Sequence, residues 1–88
     1  MKKLVSYTEV EGEGFEALLG EDVLIFALNY IYSGKLVGVN TTCVQIEGAK
    51  IVYETGSFTD KGYKDAQKLP GQVWYVQTSA IESFGLGK

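Results

Sequence analysis

The chain contains no histidine and no arginine, a single cysteine, a single proline and no long apolar run. Without histidine, the common zinc sites and the Cys/His catalytic pairs are excluded, as is any imidazole general base. The lone Cys43 can close no internal disulfide, so a covalent staple is unavailable to this small domain. With arginine absent, 8 lysines face 11 acids for a net charge of −3, a poor electrostatic footprint for duplex DNA or a long phosphate tract. The longest apolar run, Val23-Leu24-Ile25-Phe26-Ala27-Leu28, falls far short of the roughly twenty residues needed to cross a bilayer. Behind Met1-Lys2-Lys3, residues Ser6, Thr8 and Glu9 interrupt the apolar core that a signal peptide requires. The expectation is a cytoplasmic chain with no membrane association.

What is present suffices for one globular domain. The 88 residues are 45% apolar and 22% charged, near the globular average, and a chain of this size buries about 60–65% of its unfolded surface. Residues 1–88 read as a single domain with neither repeat nor linker. The first quarter is acidic: Glu9, Glu11, Glu13, Glu16, Glu21 and Asp22 are opposed only by Lys2 and Lys3. Residues 1–12 read as an extended arm. Phe15-Glu16-Ala17-Leu18-Leu19 predicts a short helix closed by Gly20.

From Val23 onward β-branched and aromatic residues dominate. Val23–Leu28 and Ile31–Val39, separated by Asn29-Tyr30, predict a hairpin. A turn at Asn40-Thr41-Thr42 leads into a long third strand from Cys43 to Tyr53, in which Gly48 predicts a bulge or sharp bend. Residues 56–72 predict an insertion loop before strand four, with a short helix capped by Asp60, running through Tyr63, Ala66 and Leu69, and stopped by Pro70. Val73–Gln77 and Ala80–Phe84 predict strands four and five, broken at Thr78-Ser79, ahead of a frayed Gly85–Lys88 tail. Five strands arriving in order with tight turns favour a mainly β fold, a strongly bent antiparallel open barrel.

Strand four, Val73-Trp74-Tyr75-Val76, carries no lysine, proline or other device that keeps an edge from pairing. Either the 56–72 loop folds over it, or an edge strand of a second copy adds hydrogen bonds and apolar area. The second solution is favoured. A contact between strand four of one copy and strand five of the next is heterologous, and such contacts close into rings where the rotation permits. Val73, Trp74, Tyr75, Val76, Ala80, Ile81 and Phe84 are the expected interface residues.

Gly34-Lys35-Leu36-Val37-Gly38-Val39-Asn40 followed by Cys43-Val44-Gln45-Ile46-Glu47-Gly48-Ala49 resembles the first Sm motif of Sm, LSm and Hfq proteins. Upstream, Phe15, Ala17-Leu18, Glu21 and Val23 are similar to the amino-terminal helix and first strand of Hfq, with one residue deleted. Downstream, Ser79-Ala80-Ile81-Glu82-Ser83-Phe84 is similar to the Hfq segment that begins His-Ala-Ile-Ser. The extended segment before strand four resembles that of small phage-borne Sm-like proteins. The resemblance covers residues 15–54 and 73–84. It implies an Sm-like barrel assembled through strands four and five into a homo-oligomeric ring of about five to eight subunits. It also implies that single-stranded RNA binds at the pore loops, Asn40-Thr41-Thr42 and Gln77-Thr78-Ser79. Those positions depart from the family pattern. Asn40 stands where aspartate is usual, Thr42 where Hfq has a stacking phenylalanine, and Thr78 and Ser79 where Hfq has Lys-His. Hydroxyls and amides remain to bond a base, while that aromatic platform and those cations are gone.

A rival reading is a ring or barrel that serves as a protein-interaction module, meeting a protein partner through the acidic first quarter and the 56–72 insertion. Charge favours it, because six copies at −3 would carry about −18 and repel phosphates at long range. No enzyme activity and no cofactor are expected. Glu47, Glu54 and Glu82 sit on strands where carboxylates face solvent, without the pairing that acid–base chemistry needs. Gly12-Glu13-Gly14-Phe15-Glu16-Ala17 fits a dinucleotide fingerprint formally, but the chain is too short for a doubly wound sheet and both glutamates would repel a pyrophosphate. Asn40-Thr41-Thr42 is a sequon that a cytoplasmic chain never exposes to glycosylation. Cys43 reads as a buried small hydrophobe. Trp74 and Tyr75 point to opposite faces of one strand, so one enters the core while the other packs on a neighbour or stacks a ligand. Tyr30 and Tyr32 are substitute stacking candidates.

Overall fold

A computed structural model describes residues 13–88; the extended arm expected over 1–12, with Glu9 and Glu11, lies outside them. Six strands form one antiparallel sheet: β1 (Asp22–Ala27), β2 (Ile31–Val39), β3 (Cys43–Glu54), β4 (Asp65–Lys68), β5 (Val73–Gln77) and β6 (Ile81–Leu86). The order is β4-β3-β2-β1-β6, with β5 also on β3. The sheet is therefore open, and the sixth strand corrects the five expected.

The long, bent third strand organises the rest. At Gly48 the backbone takes φ +63°, a conformation glycine adopts without steric cost, and the β2–β3 register slips twice, between Ser33/Lys35 and between Leu36/Gly38. These irregularities increase twist. They allow two partners on the same side of β3, with Cys43–Glu47 facing β5 and Lys50–Glu54 facing β4. The core is made by Val23, Ile25, Leu36, Val44, Ile46, Ala49 and Val76, with Phe15, Leu69, Trp74 and Phe84 among those packed around it. Ile25, Leu36, Val44 and Ile46 lose all solvent exposure, each contributing about 1.5–3 kcal/mol of burial free energy.

Two helical expectations are corrected. The segment before β1 is a five-residue 3-10 turn, Gly14–Leu18, with no side-chain cap at Glu13. Five residues flanked by glycines cannot offset the cost of nucleating an α-helix. Instead the turn is held by tertiary contact, as Phe15 stacks on Phe84 with ring centroids 3.7 Å apart. Gly20 closes it at φ +87°, as expected. Within 56–72 the predicted helix is absent and β4 takes its place. The far half of β3 would otherwise leave a row of unpaired backbone groups, which Asp65–Lys68 satisfies. Leu69 packs against the core, its N–H bonded to Ala49 O at 2.8 Å.

The tail is ordered rather than frayed. Gly85 and Leu86 belong to β6, and Gly87 N–H continues the ladder to Asp22 O at 2.8 Å. A side chain at Gly87 would meet the Tyr63 hydroxyl at 2.9 Å and the Val23 backbone at 3.1 Å. Beyond it, the Lys88 ammonium bonds the carbonyls of Thr55 at 2.5 Å, Ser57 at 2.6 Å and Gly62 at 2.9 Å. The rings of Tyr63 and Phe58 lie 5.1 and 5.5 Å from it. This contact straps the 55–63 loop to the start of β1. Among the described residues no helix is long and apolar enough to cross a membrane.

Candidate functional site

The two polar turns singled out in the sequence meet at one end of the sheet. Asn40 builds the first. Its Oδ1 accepts from Thr42 N–H at 2.9 Å, Cys43 N–H at 2.9 Å and the Thr42 hydroxyl at 3.2 Å, an Asx-type turn in which the side chain stands in for backbone. The second turn is a 3-10 segment, Thr78–Ala80, between β5 and β6. Thr78 N–H donates to Thr42 O at 2.9 Å, and the Thr78 hydroxyl donates to Thr41 O at 3.3 Å. Within the chain, therefore, residues 40–42 and 77–79 form one continuous rim.

Below that rim lies an open groove of about 620 Å³, bordered by Thr41, Thr42, Gln77, Thr78 and Ser79 and floored by Cys43 and Tyr75. Five of the six expected ligand-contacting residues thus share one groove. Asn40 lies at a smaller adjoining one, its carbonyl oxygen already committed to three donors. Cys43 is corrected from core to a half-buried free thiol, because the Cys43↔Gln77 pair lies on the face opposite the buried Val44↔Val76 pair.

Tyr75, one of the expected interface residues, also lines this groove as its aromatic floor. Its side chain is 61% exposed. Gln45 sits opposite it across β3–β5 and donates from Nε2 to the Tyr75 hydroxyl at 3.1 Å. Gln45 in turn lies over Gly38, where a Cβ would come within 2.5 Å of the amide oxygen. The strand alternation at Trp74-Tyr75 already signalled an outward ring; its neighbours follow only from the register between strands thirty residues apart.

A third groove, of about 400 Å³, runs between the β1–β2 turn and β5, with Tyr30, Tyr32 and Trp74 among its walls. Tyr30 and Tyr32 meet edge to face at 6.3 Å. Burial, and secondarily the neighbouring Tyr30, holds the Tyr32 phenol above its usual pKa.

The remaining expected interface residues divide by face. Val76 is buried in the core of the chain, and Trp74, Ile81 and Phe84 pack against that core. Antiparallel ladders alternate between bonded and unbonded pairs. Since Thr78 N–H points to β3, those of Val76 and Trp74 do too, which leaves the main chain of Val73, Tyr75 and Gln77 facing the free edge. By the same reasoning from Gly87, the main chain of Phe84 and Leu86 faces the free edge of β6.

Glu47 and Glu54 on β3 and Glu82 on β6 are all exposed, and no cluster of metal-ligating side chains occurs among the described residues. The dinucleotide fingerprint lacks its context, because the strand pairs described are all antiparallel. Comparisons with family models, with curated proteins and with solved structures find no match to this chain.

Proposed function

We propose that the chain is the subunit of an Sm-like homo-oligomeric ring that binds short single-stranded RNA, uridine- or adenine-rich, at the rim formed by residues 40–42 and 77–79. The observation that carries this reading is the bond from Thr78 N–H to Thr42 O, which joins two turns 36 residues apart into one polar surface. Supporting it, β5 and β6 each have one strand partner among the described residues. Their outer edges are suited to pair with each other between neighbouring copies. The short β4 carries Asp65 and Lys68 and is followed by Pro70, features that discourage edge pairing, whereas β5 has none. Val73, Tyr75 and Gln77 would lend main-chain groups to the interface, and Ala80, Ile81 and Phe84 lie on the opposing segment. Trp74 and Val76 support it from the core side.

Thr41, Thr42, Gln77 and Ser79 are exposed and supply hydroxyl and amide groups to base edges; half-buried Thr78 chiefly positions the rim. The test is an anisotropy titration with short labelled RNA oligomers at two salt concentrations, alongside sedimentation equilibrium. A ring with saturable binding, lost in the double variant Gln77→Ala, Thr42→Ala, supports the reading. A closed ring that binds no RNA at low salt instead favours the protein-interaction module, to which the net charge of −3 is better suited.

A further inference from the structure

We infer that Tyr75 is the stacking platform of this rim, and that the unit recognised is an uncharged, unpaired nucleobase, purine before pyrimidine, rather than its phosphate. The inference rests on the RNA-binding reading above and deepens it. Three features of the face bearing Cys43, Gln45, Tyr75 and Gln77 lead there. The ring is 61% exposed in the floor of a groove otherwise walled by hydroxyls, an amide and a thiol. It is also oriented: Gln45 Nε2 donates to its hydroxyl, and Gln45 can lie flat only because position 38 is glycine. That bond uses the phenol oxygen as acceptor, so its proton remains available to donate, beside the Gln45 amide oxygen as an acceptor. A flat face flanked by one donor and one acceptor suits a heterocyclic base, whose edge presents both.

The third feature is charge. None of the residues bordering the Tyr75 groove or the adjoining Gly38–Asn40 groove is charged, so nothing there neutralises a phosphate, and a lysine- or glutamate-rich peptide finds no counter-charge. A neutral lining matches a neutral ligand. Binding anchored on phosphates loses affinity steeply with salt, in proportion to the number of charges neutralised, whereas binding anchored on base stacking does not. Purines are favoured because their larger π surface stacks more strongly.

Short oligoadenylate, oligouridylate and free adenosine are titrated against the wild-type protein and against Tyr75→Phe, Tyr75→Leu and Tyr75→Ala, each first checked for unchanged assembly by sedimentation. Tyr75→Phe keeps the ring and stays within about threefold of wild type for oligoadenylate, since stacking is retained. Tyr75→Leu and Tyr75→Ala weaken binding by about 5- to 100-fold, the range expected when one stacked base is lost. Wild-type affinity shifts less than about threefold between low and physiological salt, against the steep decline of a phosphate-anchored complex. If oligomers bind but Tyr75→Leu and Tyr75→Ala bind equally well, or if salt abolishes the complex, the platform inference is overturned and RNA binding at the rim stands. If no oligomer binds the wild-type protein, both fall together.

Discussion

Replacing Val73 by proline tests the free edge of β5 with little disturbance to the fold of the chain. Val73 is the first residue of β5, a position where proline is tolerated, and its N–H points away from β3. The substitution therefore removes no bond of the internal ladder, but it deletes one outward donor and places a ring on the edge. At each contact of the proposed ring the loss would be one main-chain hydrogen bond, about 1 kcal/mol net, plus about 1–3 kcal/mol for the neighbour's carbonyl left unpaired. Together these come to about 2–4 kcal/mol, or roughly 30- to 700-fold weaker association per contact. Sedimentation equilibrium from micromolar to millimolar concentration should then show a ring for the wild type and a folded monomer for Val73→Pro, with matching circular dichroism. Trp74→Pro is the control: its N–H points to β3, opposite Ile46, so that change should unfold the subunit. The edge reasoning fails if Val73→Pro assembles as tightly as wild type. It also fails if the wild type is itself monomeric throughout.

Lys88→Met should loosen the 55–63 loop while leaving the sheet intact. Three charge-assisted bonds to largely exposed carbonyls are worth about 1–2 kcal/mol in total after solvent screening. Hydrogen exchange should accelerate several-fold at Asp60 and Lys64, whose N–H groups close this loop, and stay unchanged at Leu36; equal rates at the loop amides would refute the strap. Tyr32 should reduce alkaline stability. Its pKa is raised in the folded chain, so the folded state holds the proton longer, and the associated stability is intact below about pH 10 and lost as pH rises through the folded value. Tyr32→Phe should flatten that alkaline decline in thermal melts followed across pH, and an unchanged slope would remove the assignment.

Strand positions were legible wherever the cause was local. The hairpin at Asn29-Tyr30, the bend at Gly48 and the break at Thr78-Ser79 follow from turn chemistry and from a glycine needed at positive φ. β4 was not legible, because Asp65-Ala66-Gln67-Lys68 has no strand pattern of its own. It is extended only because the far half of β3 offers unpaired backbone. Conversely, Phe15–Leu19 has good helix formers, but they are too few to make an α-helix. Of the candidate site, the two turns are marked in the sequence by their hydroxyls and amides, and strand alternation turns one of Trp74 and Tyr75 outward, whereas Cys43 reads as core and is half-buried. The neighbours of Tyr75 and Cys43 depend on the register that sets Cys43 against Gln77 and Gln45 against Tyr75.

By itself the sequence determined what travels with each residue: the alternation that makes strands, the glycines that allow bends, the absence of imidazole and the acidic balance. The tertiary structure alone decided which strand each half of β3 pairs with. It also decided that Thr42 meets Thr78, that Gln45 holds the Tyr75 phenol over Gly38, and that Lys88 closes on three carbonyls. The physical reason is the range of the interactions. Turn and strand preferences act over a few residues, whereas a hydrogen-bond partner across the sheet is chosen by a register that sums contributions from the whole chain.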